Sequence, residues 1–183
     1  MIFYRCFPRA QGADPRREGG PLWFPRPLQG DGRHDNPDLY GCLYVSESDV
    51  SVVVEQLARF RGADEVVDSM LVRGGSPLTL VSIGLPDETG LVDLDDPRTL
   101  VREALRPSQV ATHDRHRTQR YAAALYGAHA AVGGIRWWST FEASWPNVTL
   151  FDRIEQDLVR VDERVLTVDD QLVEAAAEFL GLR

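Results

Sequence analysis

The chain begins with an apolar, aromatic run, Ile2-Phe3-Tyr4-Arg5-Cys6-Phe7, which reads as a first strand with one charge set inside it. Residues 8–38 then lose periodicity and fill with Pro, Gly, Arg and Asp. An unpatterned segment of that length in a compact protein is often functional. Leu22-Trp23-Phe24 is an apolar island within it, a short strand or a packed plug. Leu43-Tyr44-Val45 resumes as a strand. Ser48 then has the place of an N-cap, with Asp49 in the first turn. Val50, Val53, Val54, Leu57 and Phe60 recur at helical spacing, and Gly62 stops the helix. Glu55 falls roughly 100° round from Val54, at the edge of that apolar face, where a carboxylate can border a cleft.

The second half alternates short strands with helices. Residues 78–85 and 90–94 read as strands, and Pro97 as the first residue of a helix to about Leu105. Residues 107–113 read as a loop. A helix is expected from about Asp114 to Ala131, with Tyr121, Leu125 and Ala128 on one face and Gly133-Gly134 ending it. Strands are expected over 135–140 and 148–151, and a strand or hairpin over 158–168. Asp169 and Asp170 open a C-terminal helix to Leu180. On a strand, Trp137 and Trp138 point to opposite faces, so one is expected in the core. The result is an α+β domain of short strands with flanking helices, expected to be a single domain over residues 1–183. Strand and helix do not alternate regularly, and no Gly-x-Gly-x-x-Gly joins a strand to a helix, so a doubly wound dinucleotide fold is not expected.

Composition narrows the chemistry. A formal net charge of −8 argues against a direct nucleic-acid binder, yet leaves room for a small anion gripped by a few arginines. All 20 basic residues are Arg. Arginine offers a permanently charged fork that suits phosphate. Without lysine, neither a Schiff-base nucleophile nor a Walker-type phosphate site is available. Cys6 and Cys42 are too few for a zinc site, and His113 and His116 read as solvated surface, so no metal is expected. Whether the two cysteines pair stays open. There is no leader-like start and no apolar run long enough for a membrane span, so a cytoplasmic protein is expected.

Five residues stand out as chemistry: Arg5, Arg33, Tyr44, Glu55 and Ser139. Two cations, a phenol, a carboxylate and a hydroxyl are what a pocket for an anionic, ribose-bearing molecule needs. Each has a plainer reading: a solvated helix glutamate, a loop arginine, a core tyrosine, a strand-end serine. Arg5 is harder to dismiss, because an unpaired charge inside an apolar strand is costly. It calls for a carboxylate partner or a place in a site.

The order of these segments resembles a known family, the RES domain, named for its Arg, Glu and Ser residues. The resemblance rests on Tyr4-Arg5, Gly32-Arg33 with Asn36-Pro37, Leu43-Tyr44-Val45-Ser46 and Glu55 on the following helix. It continues through Thr118-Gln119, Gly134-Ile135-Arg136-Trp137-Trp138-Ser139 and Asn147-Val148-Thr149-Leu150-Phe151, spanning about residues 2–152. The chain departs from many members in carrying Cys6 after Arg5 and His34-Asp35 before Asn36.

The resemblance implies a fold related to ADP-ribosyltransferases. It also implies a toxin that consumes NAD by phosphorolysis or hydrolysis, checked by an antitoxin of the Xre helix-turn-helix type that occludes the active site. A homodimer is a further expectation. In that reading Glu55, Arg5 and Ser139 are catalytic, and Arg33, Tyr44, Asn36 and Gln119 bind the substrate. NAD is the substrate and inorganic phosphate a candidate co-substrate. Two alternatives stay open: ADP-ribosyl transfer to a macromolecule, and a catalytically silent nucleotide-binding or interaction module. Glu55 is followed by Gln56-Leu57, so the paired Glu-x-Glu of arginine-modifying transferases is missing.

Overall fold

The computed structural model describes residues 1–182. They form two compact units, one of Met1–Trp23, Ser46–Gly84 and the chain from Val159 on, the other of Phe24–Val45 and Leu85–Leu158.

In the first unit β1 (Ile2–Pro8) pairs antiparallel with β4 (Ser76–Gly84), placing Arg5 opposite Val81 and Cys6 opposite Leu80. On its other side β4 pairs antiparallel with β3 (Val72–Arg73) and with β8 (Val159–Val165). The β3–β4 hairpin, which the hydrophobic pattern does not announce, turns through Gly74 and Gly75. Both take left-handed φ values, 58° and 79°, that side chains rarely adopt. Between β2 (Cys42–Ser46) and the first helix lies Ser48, whose hydroxyl accepts the Ser51 N–H, so the expected cap is present on α1 (Asp49–Leu57). Val53, Val54 and Leu57 are fully buried as expected, while Val50 and Phe60 are half-buried. The α-helix stops at Leu57 and tightens into a 3-10 turn over Ala58–Phe60. α1 packs on β1 and on α5 (Gln171–Leu180), which Asp170 caps and a left-handed Gly181 ends. The Gln56 side-chain amide fixes the first contact by donating to the Cys6 carbonyl at 2.9 Å. Residues 159–165 form one edge strand, and its valines 159, 161 and 165 are exposed.

In the second unit the strand order is β2, β7 (Pro146–Phe151), β6 (Gly134–Trp138), β5 (Leu91–Asp93). β6 runs antiparallel to β7 and parallel to β5. Across the chain the strands are mostly antiparallel, with flanking helices, so the α+β expectation holds. α2 (Pro97–Arg102) starts at Pro97 behind an Asp96 cap, and α4 (Arg115–Ala128) behind an Asp114 cap. The core here includes Tyr40, Leu94, Val110, Ile135, Trp137 and Phe151.

Three expectations in this unit need correction. Residues 107–110, read as loop, form a one-turn helix, α3 (Pro107–Val110). Pro107 presets its first residue, and the Gln109 side chain accepts the Arg106 N–H at 2.8 Å. α4 ends at Ala128 rather than near Ala131, and Ala128 is exposed; the inward face is Thr118, Tyr121, Ala122 and Leu125. Gly134 does not end a helix: it opens β6, where a Cβ would lie 2.3 Å from the Thr149 carbonyl oxygen. Gly134→Ala must therefore separate two paired backbones, and should cost about 2–3 kcal/mol in urea unfolding. An unchanged midpoint would refute the close approach.

Cys6 and Cys42 are free and buried. Burial pushes the Cys6 thiol up to about 12 and raises Cys42 strongly, so both are kept as inert thiols.

Candidate functional site

The aperiodic segment of the second unit is organised by three successive polar residues that are all buried, Arg33, His34 and Asp35. Each is held by its own set of partners. Arg33 Nη1 donates to the carbonyls of Val110 at 2.8 Å and Thr112 at 2.9 Å, and its guanidinium lies 4.7 Å from the centre of the Trp137 ring. Burial lowers its pKa, Tyr121 opposes that shift and Arg115 adds to it. An arginine so fixed is a preset cation against an aromatic floor.

His34 is fully buried, with Nδ1 2.8 Å from Thr149 Oγ1 and Nε2 2.8 Å from the Tyr121 hydroxyl. Its ring also meets Trp137 edge-on. Burial, with Arg33 and Arg115 adding, holds its pKa well below the usual histidine value, so it is neutral in the folded protein. The consequence for stability has a definite sign. The unfolded chain takes up a proton near pH 6.5 that the native state refuses, so this contribution is complete above that pH and is lost as pH falls. Lowering the pH from 7.5 to 5.5 should remove on the order of 1 kcal/mol through this residue. Urea midpoints of wild type and His34→Gln across that range test it; equal pH slopes would contradict it.

Asp35 is the acceptor around which the loop turns. Its Oδ2 accepts the N–H groups of Gly30 at 2.9 Å and Gly32 at 2.7 Å, and Oδ1 accepts the Tyr44 hydroxyl at 2.7 Å. Gly32 is required here, since a Cβ would sit 2.4 Å from the Asp35 carboxylate. Tyr44 Oη in turn accepts the His34 backbone N–H at 2.9 Å. Burial, then Cys42 and Asp35, push the phenol well above its usual pKa, so Tyr44 stays protonated as the donor to Asp35.

Asn36 and Gln119 brace the same loop. Asn36 Nδ2 lies within hydrogen-bonding distance of the His34 carbonyl, the Tyr40 hydroxyl and the Gln119 carbonyl. Gln119 Nε2, from α4, donates to the carbonyls of Gly30 and Gly32 at 2.8 and 2.9 Å. The structure thus brings Arg33, Tyr44, Asn36 and Gln119 together, with the last two gripping protein atoms through their amide nitrogens. Ser139 follows β6 two residues after Trp137. It is buried, its Oγ accepts the Phe141 N–H at 3.1 Å, and its own N–H donates to the Trp145 carbonyl.

Arg5 and Glu55 belong to the first unit. The charge of Arg5 inside an apolar strand is met by backbone carbonyls: Nη1 donates to Pro21 at 2.7 Å and reaches Gly20 at 3.5 Å. Its guanidinium lies 4.3 Å from the Phe7 ring centre, and burial lowers its pKa to about 10. It remains a cation at neutral pH. Glu55 is exposed on α1, between buried Val54 and half-buried Gln56.

The candidates that sequence reasoning passed over are His34, Asp35, Tyr121 and Thr149. Their local signal is slight. An aspartate three residues after the second glycine pair position of Gly30-Asp31-Gly32 is compatible with a turn acceptor; nothing nearby announces the Tyr121 and Thr149 partners of His34.

The RES domain family model matches residues 2–172. A chain in the crystal structure of the M. tuberculosis MbcT–MbcA toxin–antitoxin complex superposes with a TM-score of 0.62 at 19% identity, over 98% of this chain and 88% of that one. At that identity the likeness is one of fold. No curated protein matches the chain. With a family match over nearly its whole length, the chain belongs to the RES domain family.

Proposed function

We propose that the chain is an NAD-consuming enzyme that acts as a toxin and is held in check by an antitoxin. The observation that carries this reading is the family match over residues 2–172. The fold likeness to a chain of the MbcT–MbcA toxin–antitoxin complex supports the antitoxin, for which an Xre-type helix-turn-helix protein is the expected class.

The bond broken is the one between nicotinamide and ribose. Nicotinamide departs as a neutral base with the bonding electron pair, so it needs little acid assistance. The demand on the enzyme is the positive charge that develops on the ribose, which a single carboxylate can stabilise. Glu55 is assigned that role. Arg5 and Arg33 are the cations for the pyrophosphate or for an attacking phosphate, with Arg33 preset by Trp137 and two carbonyls. Tyr44 contacts nicotinamide or ribose, and Ser139 ribose or phosphate. Asn36 and Gln119 support the substrate through the loop that they brace. An oxygen of water or of inorganic phosphate then bonds to the ribose carbon, its proton passing to solvent, giving ADP-ribose or its 1″-phosphate.

Expression in cells with NAD measured over time tests the reading as a whole. Wild type should deplete NAD and arrest growth, while Glu55→Gln, at equal expression, should do neither. Growth arrest with an undiminished NAD pool would overturn it.

A further inference from the structure

We propose that α3 and α4 form a binding site for the phosphate groups and ring of an adenine nucleotide, built on Arg117, Arg120, Gln109, Leu105 and Tyr121. These five residues line an open cavity of about 400 Å³ in the second unit. That volume lies within the range of small-ligand sites.

The donor set selects the ligand. Arg117 and Arg120 are exposed, and Arg117 approaches Asp114 only at 3.9 Å. The Gln109 Oε1 is taken by the Arg106 N–H, which leaves its NH2 as the group to offer. The Tyr121 hydroxyl is turned inward to His34, and the buried tyrosine closes the inner wall of the cavity. Three donor groups on the outer side, with Leu105 and the buried Tyr121 on the inner side, match a ligand that has several acceptors, negative charge and an apolar part.

Local electrostatics point the same way. α4 opens Arg115-His116-Arg117-Thr118-Gln119-Arg120. Arg115 and Arg117 thus lie in the first turn of a helix, where the dipole favours anions, and Arg120 follows in the second turn. Residues 105–121, the segment that lines the cavity, hold arginines 106, 115, 117 and 120 against one carboxylate, Asp114, in a chain of net charge −8. A bound phosphate relieves this crowding, and local rules broken in this way gather at functional sites.

The nucleotide can be the ADP portion of NAD or a separate mononucleotide. Its adenine identity rests on the NAD reading; the anion-binding character of the cavity does not. Titration calorimetry with ADP as the probe tests the site. Wild type should bind ADP. Arg117→Gln/Arg120→Gln should bind it at least tenfold more weakly, and Arg98→Gln, an exposed cation outside the cavity, should bind like wild type. No ADP binding by wild type, or equal affinity in the double variant, would overturn the proposal. If the double variant also raises the KM for NAD and ADP competes with NAD, the source is the substrate itself. If KM is unchanged and ADP does not compete, the site takes a separate nucleotide. Arginine-dependent ADP binding by a wild type that does not turn over NAD would leave the cavity standing and remove only the enzyme reading.

Discussion

Glu55→Gln should lower NAD cleavage by about a thousandfold, the scale on which losing one preset electrostatic group acts on a charged transition state. Glutamine keeps the shape and removes the charge. The glutamate is exposed on α1, whose packing comes from Val53, Val54 and Leu57, so the fold should be unaffected. Nicotinamide release and a urea melt of the same sample check both halves. Activity within threefold of wild type would remove Glu55 from the mechanism, whatever the melt shows.

Asp35→Ala should destabilise the protein by about 3–5 kcal/mol, since three donors lose one shared acceptor in a buried setting. The orphaned groups are the Gly30 and Gly32 N–H and the Tyr44 hydroxyl. Asp35→Asn should recover about half of that, because one amide oxygen can still receive the two backbone donors. Denaturant midpoints of the three proteins give the comparison. A melt of Asp35→Ala within 1 kcal/mol of wild type would mean that the loop does not depend on this acceptor. Since Asp35 orders the loop that carries Arg33, the alanine variant should also lose activity under conditions where it remains folded.

What was legible in the sequence was what is local. α1 and α5 carry a capping side chain and a buried stripe, and α5 a glycine at its end, so their residues alone announce them; the expected stop of α1 at Gly62 comes earlier, at Leu57. β1 is legible as an apolar run, and the demand made by Arg5 within it is legible too. The answer to that demand is not: the Pro21 carbonyl comes from the aperiodic segment, which the fold returns to β1. α3 is hidden because one helical turn behind a proline looks like loop. Gly134 reads as a helix stop until Thr149 is seen across from it, and that neighbour is known only once β6 and β7 pair.

The candidate site divides in the same way. The motif order picks out Arg33, Tyr44, Asn36 and Gln119, and these converge on one loop. His34 and Asp35 look like ordinary polar loop residues in the sequence, yet both are buried at its centre. Their partners lie far along the chain or in backbone N–H groups, where residue type gives no signal. The two residues between Arg33 and Asn36 are thereby the organising feature of the loop.

The most direct test of NAD cleavage is to incubate purified protein with NAD, with and without inorganic phosphate, and quantify nicotinamide and the ribosyl product by mass spectrometry. Nicotinamide should appear in step with NAD loss, with ADP-ribose-1″-phosphate as product if phosphate is the nucleophile and ADP-ribose if water is. Bound but intact NAD under both conditions, with no nicotinamide released, would contradict it.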